Sequence, residues 1–133
     1  MGDEVQGKGS WITIDDIDFT TIPLHVRAGT VLPLRLNGAN TTTELRKRNF
    51  ELLIAPASNN TATGQLYFDD GNSIVQEATS FITFTYVNGT ISTSGSFGYN
   101  PGVSVVLLTI LGVSGQAKTQ TLGADVLKRG FDG

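Results

Sequence analysis

The stretch FITFTYVNGTISTSGSF, Phe81 to Phe97, decides the fold class. Asn88-Gly89 at its middle is the signature of a two-residue turn that needs positive φ at both positions. Reversal there sets Tyr86 opposite Ile91, Phe84 opposite Thr93 and Ile82 opposite Gly95. Thr83, Thr85, Ser92 and Ser94 then share the other face. One face is apolar and the other carries hydroxyls, as a half-solvated antiparallel pair requires. The stretch predicts a β-hairpin.

The same period of two runs outward from the hairpin. In GQLYFDDGNSI, Gly64 to Ile74, Leu66 and Phe68 alternate with Tyr67. Asp70-Gly71 follows where the chain must reverse, since both residues tolerate left-handed backbone. FELLIAP (Phe50 to Pro56) and VSVVLLTILGV (Val103 to Val113) read as strands, the second apolar enough for a central position. Upstream, SWITI leads through DDIDFTT to IPLHVRAGTVLPLRL, where Gly29 is expected to break or bulge a long strand pair. Pro23 and Pro33 remove ladder donors and belong at strand starts or sheet edges. No stretch reads as a helix, and turn residues recur roughly every eight to twelve positions. The expected class is all-β, an antiparallel β-sandwich.

Composition narrows the partners. The 133 residues are 39% apolar and 16% charged, which suits a folded chain. Net charge is −3, and Arg46-Lys47-Arg48 is the only basic cluster, so nucleic acid is not an expected partner. There is no cysteine, hence no disulfide framework and no thiolate metal site. No apolar run approaches the roughly 20 residues of a membrane helix, so no membrane partner is expected. Met1 is followed at once by GDEVQGKGS, which is not a signal peptide; the chain is read as made in the cytosol or cut from something longer. The polar, turn-rich LNGANTTTELRKRN, Leu36 to Asn49, reads as a domain boundary. Residues 1–36 hold too few strands for a core of their own and look like the end of another sheet; residues 37–133 form the second unit.

Several residue types invite a chemical reading. Asp69 and Asp70 are adjacent carboxylates, but glycoside hydrolysis needs two carboxyl groups ~5–9.5 Å apart facing one sugar. Neighbours on a strand point to opposite faces, so a structural corner is the better reading of this pair. Asp15, Asp16 and Asp18 supply only fragments of a calcium loop and read as a solvated strand edge. His25, the single histidine, has no marked nucleophile nearby and reads as a packed or edge residue. Neither GYNPG nor GTISTSGSFG has the strand-to-helix setting of a phosphate loop. No cofactor, metal or catalytic residue is expected. Trp11, Tyr67 and Tyr99 are candidate carbohydrate contacts, because each joins a flat apolar body to a polar handle; Tyr86 falls on the apolar face. Asn40, Asn59 and Asn88 each begin an Asn-x-Thr sequon in a predicted turn or loop, and are glycosylation candidates.

Two segments together carry a family resemblance. IPLHVRAGTVLPLR (Ile22 to Arg35) followed by GQLYFDDGNSI resembles the C-terminal region of glycoside hydrolase family 31, the α-glucosidases. VVLLTILGV followed by TQTLG is similar to the family's next strands, so the likeness runs from Ser10 to Gly123. Arg27-Ala28-Gly29 departs from the family's commoner Arg-Gly-Gly, and the chain stops after LKRGFDG where the family continues. The resemblance implies that residues 1–36 are the last strands of a proximal β-sandwich and 37–133 a distal one. It implies a non-catalytic accessory role beside a (β/α)-barrel that hydrolyses terminal α-linked glucose. No catalytic residue carries over, because the family's nucleophile segment, Trp-x-Asp-Met-Asn-Glu in type, has no counterpart here. The implied partners are that barrel and the remaining domains, with α-glucan oligosaccharides as ligands, and the implied location is the secretory pathway. Alternatives are a stand-alone carbohydrate-binding module, or a β-domain that self-associates through open sheet edges.

Overall fold

A computed structural model describes residues 4–15 and 17–112. The described residues are all-β apart from one short helix: β1 (Thr30–Arg35), α1 (Thr42–Arg46), β2 (Phe50–Ala55), β3 (Thr61–Phe68), β4 (Ser80–Val87), β5 (Thr90–Phe97) and β6 (Val105–Ile110). The strands form one sheet in the order β5-β4-β3-β1-β2-β6.

The hairpin is as read. β4 and β5 pair antiparallel with Tyr86 opposite Ile91, Phe84 opposite Thr93 and Ile82 opposite Gly95. Asn88 and Gly89 have φ of 47° and 88°, the positive pair that this turn demands. Ile82 and Phe84 are completely buried, whereas Ser92, Ser94 and Ser96 are exposed. β3 extends the hairpin, setting Ala62, Gly64, Leu66 and Phe68 against Tyr86, Phe84, Ile82 and Ser80.

The other half of the sheet is built from β1, β2 and β6. β1 and β2 pair antiparallel, bringing Val31 opposite Ile54 and Arg35 opposite Phe50. β2 continues onto β6 in parallel, Leu52 beside Leu108 and Ile54 beside Ile110, with a register shift after Phe50. The halves meet at Gly29 and Thr30. Gly29 donates its amide to Ala55 O (2.7 Å) and accepts from Thr63 N (3.0 Å), and Thr30 is opposite Thr63 in parallel. Inward residues of both halves close into a single cluster that includes Val31, Leu52, Ile54, Ile82, Phe84 and Val105. The sheet is thus curled around its own core. Gly64 makes the curl feasible: a Cβ there would stand 1.9 Å from Val31 O.

Four expectations need correcting. The ladder is mixed, with β1–β3 and β2–β6 parallel, because the chain crosses over β1 and β2 instead of always turning back beside its last strand. β6 lies at an edge of the described sheet although its sequence suggested a centre; an apolar run reports burial on its faces, not rank in the strand order. A helix does exist. Thr41 Oγ1 accepts from Glu44 N (3.2 Å), a local cap that sustains five residues, too few to leave a readable period. Finally, the upstream strands do not form: among the described residues before Thr30 there is none, because no neighbouring strand meets their backbone.

The stretch 36–49 joins two paired strands, so β1 belongs to the same sheet as β2. Arg35 Nη1 donates to Arg46 O (2.9 Å) and to Arg48 O, tying the connection down. The expected strands beyond Ile110, including TQTLG, and the LKRGFDG end lie outside the described residues.

Candidate functional site

The end of the sheet where β1 and β3 finish carries an open cleft of about 660 Å³. β3 delivers Tyr67 and Phe68, the following loop delivers Asp69, Asp70, Gly71 and Asn72, and α1 supplies Thr42, Thr43 and Arg46. Tyr99 and Pro101, from the segment after β5, close the far side. A smaller hollow of about 260 Å³ lies next to it and shares Asp70 and Tyr99.

The adjacent carboxylates go separate ways. Asp69 accepts from Arg46 Nη2 through Oδ1 (2.5 Å) and through its backbone oxygen (2.8 Å). Asp70 turns back on its own loop, accepting from Asn72 N (2.9 Å), Ser73 N (3.0 Å) and Ser73 Oγ (2.5 Å). The Ser73 hydroxyl first, and the two amides after it, hold the Asp70 carboxyl well below its usual range. Both groups are structural. β3 and β4 are joined by the whole of residues 69–79 rather than by a tight turn, so Asp70 shapes a loop and not a two-residue corner.

Two arginines fasten α1 to the sheet. Arg46 reaches across to Asp69 and lies so close to Gly71 that a Cβ there would come within 2.2 Å of its Cζ. Arg35 stacks 3.9 Å above the Phe50 ring while its Nη1 takes two carbonyls at the end of α1. Burial, and secondarily the positive charge of Arg46, lower the Arg35 pKa. On the opposite wall Tyr99 is pinned by a completely buried serine. Ser80 Oγ accepts from Tyr99 N (2.9 Å) and donates to Tyr99 O (2.8 Å).

Tyr67 and Tyr99, two of the three aromatic candidates, therefore line the same cleft, from β3 and the segment after β5, which sequence alone could not bring together. Trp11 does not: it is fully exposed in the strandless N-terminal segment. Asn40, Asn59 and Asn88 are all exposed; Asn59 Oδ1 accepts from Thr61 Oγ1 (2.8 Å), and Asn88 N donates to Asn60 O (3.0 Å), so the last two share one end of the sheet. Asp18 caps a turn instead of edging a strand, accepting from Thr20 N and from the hydroxyls of Thr20 and Thr21. Those bonds, that from the Thr20 hydroxyl foremost, lower its pKa. Asp16 lies outside the described residues. Among the described residues no three His, Asp or Glu side chains group as a metal site, and no helix is long and apolar enough to cross a membrane. Arg46 and Ser80 were missed as site residues. Their partners stand 23 and 19 positions away, and no local pattern marks them.

No family model matches the chain. It is 47% identical over 116 residues to a probable alpha/beta-glucosidase of Neosartorya fischeri, which covers 87% of this chain and 13% of that protein. A probable alpha/beta-glucosidase of Arthroderma benhamiae is 48% identical over 74% of the chain and 11% of its own length. An alpha-glucosidase of Aspergillus niger is 37% identical over 80% of the chain and 11% of its own length. The chain spans about an eighth of the length of the relatives it matches, 13% in the first case. The resemblance that two motifs suggested holds across most of the chain, which is homologous to a segment of proteins named alpha/beta-glucosidase and alpha-glucosidase.

Proposed function

We propose that this chain is a non-catalytic accessory region of an α-glucosidase that hydrolyses terminal α-linked glucose, and that it supports the catalytic barrel. The observation that carries this reading is the uncovered N-terminal segment. Trp11, Phe19, Ile22 and Leu24 are 79–106% exposed in a chain that matches only 13% of its relative. So many large apolar side chains in one short run form a surface that another part of a longer protein covers. The segment before β1 then supplies the contact with a proximal β-sandwich, and the curled sheet, β1 included, is the distal unit. On this reading the parent is secreted and carries glycans at Asn40, Asn59 or Asn88, all of which are exposed.

Three measurements test it. The purified chain should leave maltose and aryl α-glucosides intact; stoichiometric turnover would overturn the non-catalytic assignment. Replacing the matching segment of the N. fischeri relative with this chain should preserve a folded protein with its hydrolytic activity. Deleting the segment should lower its thermal stability. A relative indifferent to the deletion would remove the supporting role.

A further inference from the structure

The cleft between α1, the 69–72 loop and Tyr99 has a construction that the accessory role does not require. We propose that it is a binding site for a neutral, polyhydroxylated ligand, an α-glucan oligosaccharide. The choice of α-glucan over other sugars rests on the proposed α-glucosidase parent; the site itself rests on geometry.

A volume of about 660 Å³ lies in the ordinary range of small-molecule pockets. Tyr67, half-exposed, and Tyr99, partly buried against the core, line the cleft, and tyrosine rings are the side chains that take the apolar side of a pyranose. Thr42 and Thr43, on the first turn of α1, present hydroxyls to the same space. Among the described residues, neither the threonine nor the tyrosine hydroxyls have an intramolecular partner. Each can both donate to and accept from a sugar hydroxyl.

Charge argues for a neutral ligand. Arg46 is taken by Asp69 and Lys47 by Glu44 at 3.0 Å. Asp70 is taken by its own loop and Arg35 by backbone carbonyls. Among the described residues lining the cleft, no cation is left unpaired to select a phosphate or carboxylate. The walls are also held before any ligand arrives: Ser80 fixes the Tyr99 backbone, and Arg46 and Arg35 fix α1 against β3 and β1. Such prior ordering reduces the entropy lost on binding.

The test is a titration of the ¹⁵N-labelled 133-residue chain with maltoheptaose at millimolar concentration, followed by amide shifts. The expected result is saturable shifts at residues 42–47, 67–72 and 99, with none at residues 11–24. Tyr67→Ala should weaken binding about tenfold, an aromatic contact's worth, while the spectrum stays dispersed. Tyr67→Phe, which keeps the ring, should weaken it less. Absent or unsaturable shifts, or shifts centred on Trp11, overturn the site. Cellohexaose binding as tightly as maltoheptaose overturns the α-glucan assignment. Neither result touches the hydrolysis and chimera experiments, so this proposal and the accessory role fail separately.

Discussion

Residues 4–28 and residues 30–110 are written in a similar alternating sequence, yet they behave in opposite ways. In the sheet, alternation buries Ile82, Phe84, Leu52 and Ile54 completely. In the N-terminal segment the same kind of pattern leaves Trp11 and Phe19 fully exposed and no strand formed. The difference is not propensity. A strand exists only where neighbouring backbone takes its amides and carbonyls, and β1 finds β2 on one side and β3 on the other. The segment before it finds neither. Alternation is therefore a statement about what a stretch needs, and on the proposed reading the exposed segment finds its partner in the parent protein.

The contrast can be broken from the sheet side first. Phe84→Ala, at the centre of the core, should cost about 3–5 kcal/mol and leave the isolated chain mostly unfolded by circular dichroism. Gly64→Ala drives a methyl group into the Val31 carbonyl where the two halves join, and should cost about 1–3 kcal/mol in chemical denaturation. A fully stable Gly64→Ala chain would mean that the halves are not in contact there. Ser80→Ala leaves the part-buried amide and carbonyl of Tyr99 without the hydroxyl that pairs them, at about 1–2 kcal/mol; it should also broaden the Tyr99 resonances while the β4–β5 hairpin signals stay sharp.

Acid sharpens the comparison more gently. The Asp70 pKa is lower in the folded chain than its ordinary 3.8. The bonds from Ser73 and Asn72 therefore contribute stability above that value, and the contribution is lost as pH falls below it towards the folded pKa. Asp70→Asn should flatten the acid limb of the stability profile and leave neutral-pH behaviour of the N-terminal segment unaltered. Smallest of all is Trp11→Ala. In the isolated chain it should change stability by no more than about 0.5 kcal/mol, because no described residue is packed against the ring. In the chimera with the N. fischeri relative the same substitution should be destabilising. A loss of similar size in both settings would show that Trp11 packs within this chain.

The local parts of the fold were legible because their signals are local. Asn88-Gly89 sets the turn, the turn sets the register, and the register puts Phe84 inside and Thr85 outside. What could not be read is what depends on distant meetings. Nothing in VSVVLLTILGV says that it runs parallel to FELLIA, and nothing near Thr41 outweighs its polar, turn-rich surroundings enough to announce α1. The candidate site divides in the same way. Tyr67 and Tyr99 were nameable from residue type, but that they share one cleft follows from β3 and the end of β5 reaching the same edge. Trp11, from the same reasoning by type, lies elsewhere. Arg46 was visible only as part of a basic cluster, because its use is set by Asp69 across the cleft.

The parallel seam between β2 and β6 has a consequence for the order of events in biosynthesis. Phe50 pairs with Val105, so β2 must wait for some 55 further residues before one whole side acquires its neighbour. The β4–β5 hairpin, by contrast, can close as soon as Phe97 has emerged. Contacts of such long sequence separation are slow to form, and until they form an apolar strand is left open. A nascent chain of this sequence therefore passes through a state in which FELLIA is synthesised, hydrophobic and unpaired on one side, and chaperone engagement should peak before Ile110 leaves the ribosome.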